Sequence, residues 1–171
     1  MIYHGYRGQE QKGIRVTKGS FATEGEGVYI ALDPGLAHQF AGSGRYLQEL
    51  EFTLENPLDI GIESLYGLGE EPEIEEPINN SDSDWLKANK LAYQNSVKEE
   101  GNNWSKAQDF FGYYLTQALR DMGYDGVIVD QGKDNRWAVV FDPENVKLIT
   151  QQIQSHSIRS TRIALALVGS K

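Results

Sequence analysis

Gly27-Val28-Tyr29-Ile30-Ala31-Leu32-Asp33-Pro34 is the stretch on which the fold turns. A glycine opens it, and Val28 to Ala31 are β-branched, aromatic or small, which reads as a strand. Asp33 then stands as an N-cap with Pro34 as the first helical residue. Leu36, Ala37 and Phe40 give the helix an inward face, and Gly42 to Gly44 stop it. Upstream, Ile2 to Tyr6 is a short apolar–polar alternation carrying Tyr3-His4-Gly5. Between the two strands, Gly13 to Gly27 is rich in glycine, with Thr17, Ser20 and Thr23, and predicts an ordered but irregular loop. Downstream, Tyr46 to Leu54 is a strand with apolar residues at 46, 50, 52 and 54 on one face, closed by Asn56-Pro57.

The second half changes texture. Residues from about 61 to 103 hold an acidic, proline-flanked run, Glu70 to Pro77, and then Asn79 to Asp84. That composition predicts a solvated insert with one short helix over Trp85 to Lys98. An EF-hand reading fails because the central glycine and late glutamate are missing. The clearest helix is Ser105 to Met122. Its Ala107, Phe110, Phe111, Tyr114, Leu115, Ala118, Leu119 and Met122 recur at spacings of three and four. Asn103 is placed to cap it and Gly123 to end it. An Asp125-Gly126 turn leads into the strand Val127 to Asp130, and Gln131 to Asn135 turns it back into Trp137 to Phe141. Val146 to Ile149 reads as a short edge strand, and Ile158 to Val168 as a last strand or an ordered arm. The whole predicts one α+β domain over 1–171, with an insert at about 61–103 and a C-terminal extension at about 151–171.

A formal charge of -9 argues against loose nucleic-acid binding, which rests on Lys and Arg neutralising phosphates. The cysteine count of zero excludes disulfides and thiolate chemistry. Nothing at the start resembles a signal peptide, and the apolar run Ile163 to Val168 is too short to span a bilayer, which predicts a cytoplasmic protein with no membrane partner. Nothing in the sequence calls for a metal.

Alone, His4 reads as a structural hydrogen-bonding residue and Tyr29 as core. Together, Tyr3-His4-Gly5, the Gly27 to Asp33 stretch with Ala37 and Phe40, the Glu51 to Leu58 segment, Gly123-Tyr124-Asp125-Gly126-Val127-Ile128 and Val139-Val140-Phe141-Asp142-Pro143 resemble the ADP-ribosyltransferase superfamily. The branch is the His-Tyr-Glu one of diphtheria toxin and the poly(ADP-ribose) polymerases, in the small polyvalent form found in phages and mobile elements. The resemblance implies split antiparallel sheets with flanking helices and NAD as co-substrate. It implies a protein, or a nucleic-acid, acceptor. His4 would bond a ribose hydroxyl, the Gly5 backbone would grip the nicotinamide carboxamide, Tyr29 would stack on the ring, and Phe40 would form the other wall. Arg7 and Arg15 stand where a cation can meet the pyrophosphate, and either also serves as a solubilising surface residue.

One element departs from that pattern. The branch sets a glutamate near the start of a late strand, where its charge faces the oxocarbenium character that develops on the ribose. Here that strand begins Asp134-Asn135-Arg136-Trp137, and no glutamate lies between Glu100 and Glu144. Asp134 is the best-placed substitute, ahead of Gln131 and Asp130, while Glu144 reads as a surface residue. The expected function is NAD-dependent mono-ADP-ribosylation of a macromolecular target, with His4, Tyr29 and Asp134 as the catalytic set. Its rivals are a non-catalytic binding or inhibitor protein on the same fold and an NAD glycohydrolase. A toxin-like ribonuclease is disfavoured by the net negative charge and the lack of a second well-placed His or Lys.

Overall fold

Strand residues that alternate between two faces need cover on both, and this chain supplies it from different elements. The computed structural model describes residues 2–6, 13–41, 46–61, 72–101 and 103–153. Seven strands form one sheet: β1 (Ile2–Tyr6), β2 (Val28–Ala31), β3 (Tyr46–Phe52), β4 (Pro57–Gly61), β5 (Gly126–Asp130), β6 (Arg136–Val140) and β7 (Val146–Ile153). Their spatial order is β4-β5-β6-β2-β1-β3-β7. Every pairing is antiparallel except β4 with β5. The helices are α1 (Pro34–Ala41), α2 (Pro72–Glu75), α3 (Asp84–Glu99) and α4 (Trp104–Asp121). The result is an α+β fold of the split-sheet kind.

The split lies between β1 and β2. β2 holds β6 through four residue pairs and β1 holds β3 through five, yet β1 and β2 meet at the single pair Tyr3–Ala31. Continuing that antiparallel register would set Gly5 against Tyr29.

α4 covers one face of the β4-β5-β6-β2 half with the apolar stripe its spacing predicts. Leu115 and Leu119 are fully buried with Val127, Val129 and Val139, and Trp85, Ala88 and Ala92 of α3 join the same cluster. Burying each such Leu or Val stabilises the fold by about 1.5–3 kcal/mol. On the opposite face, Val28 and Ile30 pack with Leu50, Val140 and Val146 under Ile14, Val16, Phe52 and Leu54. The helix that the acidic insert was expected to carry therefore forms part of the core. Ser83 caps α3 by accepting from the Leu86 amide at 3.2 Å. Lys90 is buried on Asp82 at 2.7 Å and on the Pro77 carbonyl at 3.3 Å, so the polar segment before α3 is pinned to it. Glu70 and Glu71 lie outside the described residues, as does everything from Gln154 onward.

Two local expectations need correction. Pro57 opens β4 as well as following the end of β3, which proline tolerates as the first residue of an outer strand because its missing N–H leaves no ladder bond unmade. The Asp125 carboxylate accepts from the amides of Glu55 and Asn56 and so fixes where that strand starts. Asn103 occupies the N-cap of α4, but its side chain makes no capping bond. Gly123, at φ +94°, ends that helix as expected.

A 3-10 turn, Gly19–Phe21, and the loop after it sit hard against α4. A Cβ on Gly112 would stand 2.6 Å from the Ala22 Cβ and 2.7 Å from the Ala22 carbonyl oxygen, so only glycine lets the loop lie this close. Gly112→Ala is expected to destabilise the protein by about 1–3 kcal/mol through overpacking. Gly35→Ala in α1, where a Cβ meets nothing within 4 Å, gains helix propensity instead, by up to about 1 kcal/mol. Urea unfolding of the two variants tests the opposite signs.

Candidate functional site

Directly opposed residues of an antiparallel pair share a face. Tyr29 opposes Val139 and Ala31 opposes Trp137, so one face of β2 and β6 carries Tyr29, Ala31, Val139 and Trp137. Trp137 bridges two clusters there. It packs on the α3–α4 core and also on Ala31, Leu36, Ala37 and Leu47, where α1 meets the sheet. β1 runs beside this group, with His4 opposite Gln48 of β3 and Gly5 opposite Leu47. The backbone therefore brings the segments bearing His4, Gly5 and Tyr29 to one place, with α1 and its Phe40 alongside β1 and β2. The side chains of His4 and Phe40, and all of Arg7, lie outside what is described.

The Tyr29 hydroxyl is committed at its far end. It donates to the Gly25 carbonyl at 3.0 Å and accepts from the Glu24 amide at 3.0 Å. The turn that receives it is itself fastened to α4, because the Glu26 amide donates to the Thr116 hydroxyl at 2.7 Å. Gly25 adopts φ +104°, and a Cβ on it would lie 2.8 Å from the Thr116 Oγ1. A residue in the middle of α4 thus fixes the turn that fixes Tyr29. Burial, and then the charge of Glu24, push the Tyr29 hydroxyl well above the ordinary tyrosine range, so it stays protonated. Burial also pushes the Glu24 carboxyl up.

At the station expected for the late-strand glutamate stand Arg136 and Trp137. Arg136 folds back onto Asp33: its backbone amide and its Nε donate to Asp33 Oδ2 at 2.9 and 3.2 Å, and a terminal guanidinium nitrogen donates to Oδ1 at 2.9 Å. Asp33 lies just before α1 as expected, but its carboxylate serves this bidentate clamp across the sheet. Asp134 sits at the tip of the β5–β6 turn, exposed, with a left-handed φ of 61°. Asp130 accepts from the Gly132 amide at 2.8 Å in the same turn, and Gln131 accepts from the Asn135 side chain at 2.8 Å. Glu144 is exposed beyond the end of β6, and Arg15 is exposed in the loop before β2. Glu24, Thr116 and the carboxylate of Asp33 are participants that the sequence reading did not assign. The Thr23-Glu24-Gly25-Glu26-Gly27 run was a visible signal of a tight turn, but nothing in it marks the attachment of that turn to Thr116 of α4. Among the described residues, no group of three or more His, Cys, Asp or Glu gathers to hold a metal ion, and no helix is long and apolar enough to cross a membrane.

The clamp carries a pH signature. The Arg136 hydrogen bonds hold the Asp33 carboxyl below the ordinary aspartate range. A carboxyl depressed in the folded state contributes stability that is present above its unfolded pKa and is lost as pH falls through the folded value. Asp33→Asn is expected to lower Tm by about 2–4 °C at pH 7, a typical effect for a domain of this size. The gap to the parent closes as the pH falls below the ordinary aspartate range, and melting curves at stepped pH read this out.

A family model for ADP-ribosyltransferases in polyvalent proteins matches residues 1–156. No curated protein matches the chain. A solved structure described as the crystal structure of an anti-CRISPR protein is 14% identical to this chain, covering 87% of it and 95% of its own length, with a TM-score of 0.35. A superposition that loose carries no argument about this chain. The family match spans nearly all of the described sheet and helices, and on that ground the chain belongs to the ADP-ribosyltransferases of polyvalent proteins.

Proposed function

We propose that the protein binds NAD at the parting of β1 and β2 and transfers a single ADP-ribose unit to a macromolecular acceptor, a protein or a nucleic acid, as a cytoplasmic effector of a phage or mobile element. The observation that supports this reading is the register: the pair Tyr3–Ala31 joins β1 to β2 and brings the segments of Gly5 and Tyr29 side by side. A planar carboxamide suits strand backbone, which offers an N–H and a C=O side by side. Tyr29, fixed at its hydroxyl, presents a rigid ring for stacking. His4 is the residue proposed to bond the ribose, Phe40 to close the ring site and Arg7 to meet the pyrophosphate.

The reaction breaks the bond between the nicotinamide nitrogen and the ribose. The electron pair leaves with the ring, which becomes neutral, and the acceptor nucleophile bonds to the anomeric carbon and loses a proton. Negative charge near that carbon lowers the barrier. Asp134 is the acid proposed for this role, from the turn that leads into β6. A second reading has its own support: with Arg136 clamped on Asp33 and Trp137 packed into two clusters, a cation and an indole occupy the acid's station. That arrangement favours a protein that binds NAD, or a partner, without turnover.

Incubating the protein with labelled NAD and a cell lysate separates these readings. Label on a macromolecule supports transfer, free ADP-ribose alone supports glycohydrolase activity, and bound but unchanged NAD supports the non-catalytic reading. Tyr29→Ala is expected to weaken NAD binding by about 10–100-fold, the usual worth of one aromatic stacking partner. His4→Ala is expected to abolish labelling. Full labelling by Tyr29→Ala would remove Tyr29 from the site.

A further inference from the structure

The loop that reaches Tyr29 is closed on itself and then fastened to α4. Thr17 and Gly27 clasp its ends: the Thr17 amide donates to the Gly27 carbonyl at 2.8 Å, and the Gly27 amide to the Thr17 carbonyl at 3.2 Å. Inside it, the Ala22 amide donates to the Gly19 carbonyl at 2.9 Å and the Gly25 amide to the Ala22 carbonyl at 3.1 Å. The Gly19 amide donates to the Glu26 carboxylate at 3.2 Å, which ties the two limbs across. A loop braced in this way is a compact unit whose position depends on where it is held. Thr116 of α4, only 5% exposed, holds it: its hydroxyl accepts from the Glu26 amide at 2.7 Å and donates to the Gly112 carbonyl at 3.0 Å. The same amide lies 3.3 Å from the Gly112 carbonyl, a longer and weaker contact. The Tyr29 hydroxyl bonds the Glu24 amide and the Gly25 carbonyl, so Thr116 and Tyr29 grip the same stretch, Glu24-Gly25-Glu26.

We infer that Thr116 is a positioning residue for this site: through Glu26 and Gly25 it sets where the Tyr29 hydroxyl is held, and hence the plane in which the ring meets a bound nicotinamide. The inference rests on the proposed stacking of that ring on Tyr29. The backbone of β2 fixes only the root of the tyrosine side chain. Holding its hydroxyl end removes the remaining torsional freedom before the ligand arrives, so less ordering opposes binding. The anchor has to be small and polar. Gly25 approaches so closely that a Cβ on it would stand 2.8 Å from the Thr116 Oγ1. A valine at 116 presents a methyl where the Glu26 amide needs an acceptor, while a serine keeps the oxygen. Thr116 acts through the tyrosine, so its loss is expected to weaken binding of the dinucleotide and to leave the rate at saturation little changed.

Titration calorimetry with NAD over a double-mutant cycle tests the assignment. Thr116→Val is expected to weaken NAD binding by about three- to tenfold, the usual worth of one hydrogen bond. Thr116→Ser, which keeps the hydroxyl, is expected to weaken it by about twofold or less. Tyr29→Phe removes the hydroxyl through which Thr116 acts, and in that background Thr116→Val is expected to add less than about twofold. A threonine that served only the stability of α4 would lower affinity equally in both backgrounds or in neither, and either result overturns the inference. Thr116→Ala removes the hydroxyl without setting a methyl against Gly25, and takes the place of the valine variant should that one fail to fold. If the parent binds NAD and the cycle shows no coupling, the role of Thr116 is withdrawn and the nicotinamide reading stands without it. If the parent does not bind NAD, the nicotinamide reading itself fails and takes this inference with it.

Discussion

The sheet is continuous by virtue of one pair of residues. β1 and β2 meet at Tyr3–Ala31 and then part, and the remaining strands depend on one side or the other. β3 and β7 attach through β1, while β6, β5 and β4 attach through β2. α3 and α4 cover the β2 side with a large apolar cluster, and α1 fills the corner where the halves meet, its Leu36 and Ala37 packing with Ala31 of β2 and Leu47 of β3. On the opposite face Val28, Ile30 and Val140 pack with Leu50 and Val146, so one cluster spans both halves. Backbone polar groups at such a parting need partners other than a continuous ladder. That need and the position of Tyr29 make the same place both a parting of the sheet and a candidate site.

The charges around the gap follow an unusual division. The start of β6 presents a cation and an indole, with two acids beside it. Asp33 is neutralised by its clamp with Arg136, and Asp134 is out in solvent on the turn. A net-neutral ion pair does little for a developing sugar cation, and an exposed carboxylate is screened by water and salt.

Much of this was legible in the residues. The β5–β6 hairpin follows from two apolar runs around a polar turn, and α4 from an apolar stripe ended by Gly123. Elements were missed where a local cue met a distant requirement. Asn56-Pro57 reads as a stop, yet β4 begins at Pro57 because Asp125, far along the chain, captures the two amides before it. Asp33 reads as a helix cap because the residues around it are those of a helix start, but Arg136 claims its carboxylate from across the sheet. The strand bearing Tyr29 was read from its own neighbours, while the commitment of the tyrosine hydroxyl depends on a threonine of α4.

A sheet whose halves share one rung relies on side-chain packing at that seam, and the cluster of Val28, Ile30 and Val140 with Leu50 and Val146 supplies it. Amides beside that rung are expected to exchange with solvent at lower free-energy cost than those of β5 and β6. Any molecule that bonds to both β1 and β2 adds its binding energy to the resistance of the whole sheet to unfolding. A ligand at 100 times its Kd contributes about 2.7 kcal/mol in this way, a substantial fraction of the margin by which a domain of this size is stable. Occupancy of that seam would therefore be written into the lifetime of the folded protein, and a protein of this build would be most durable where its ligand is abundant.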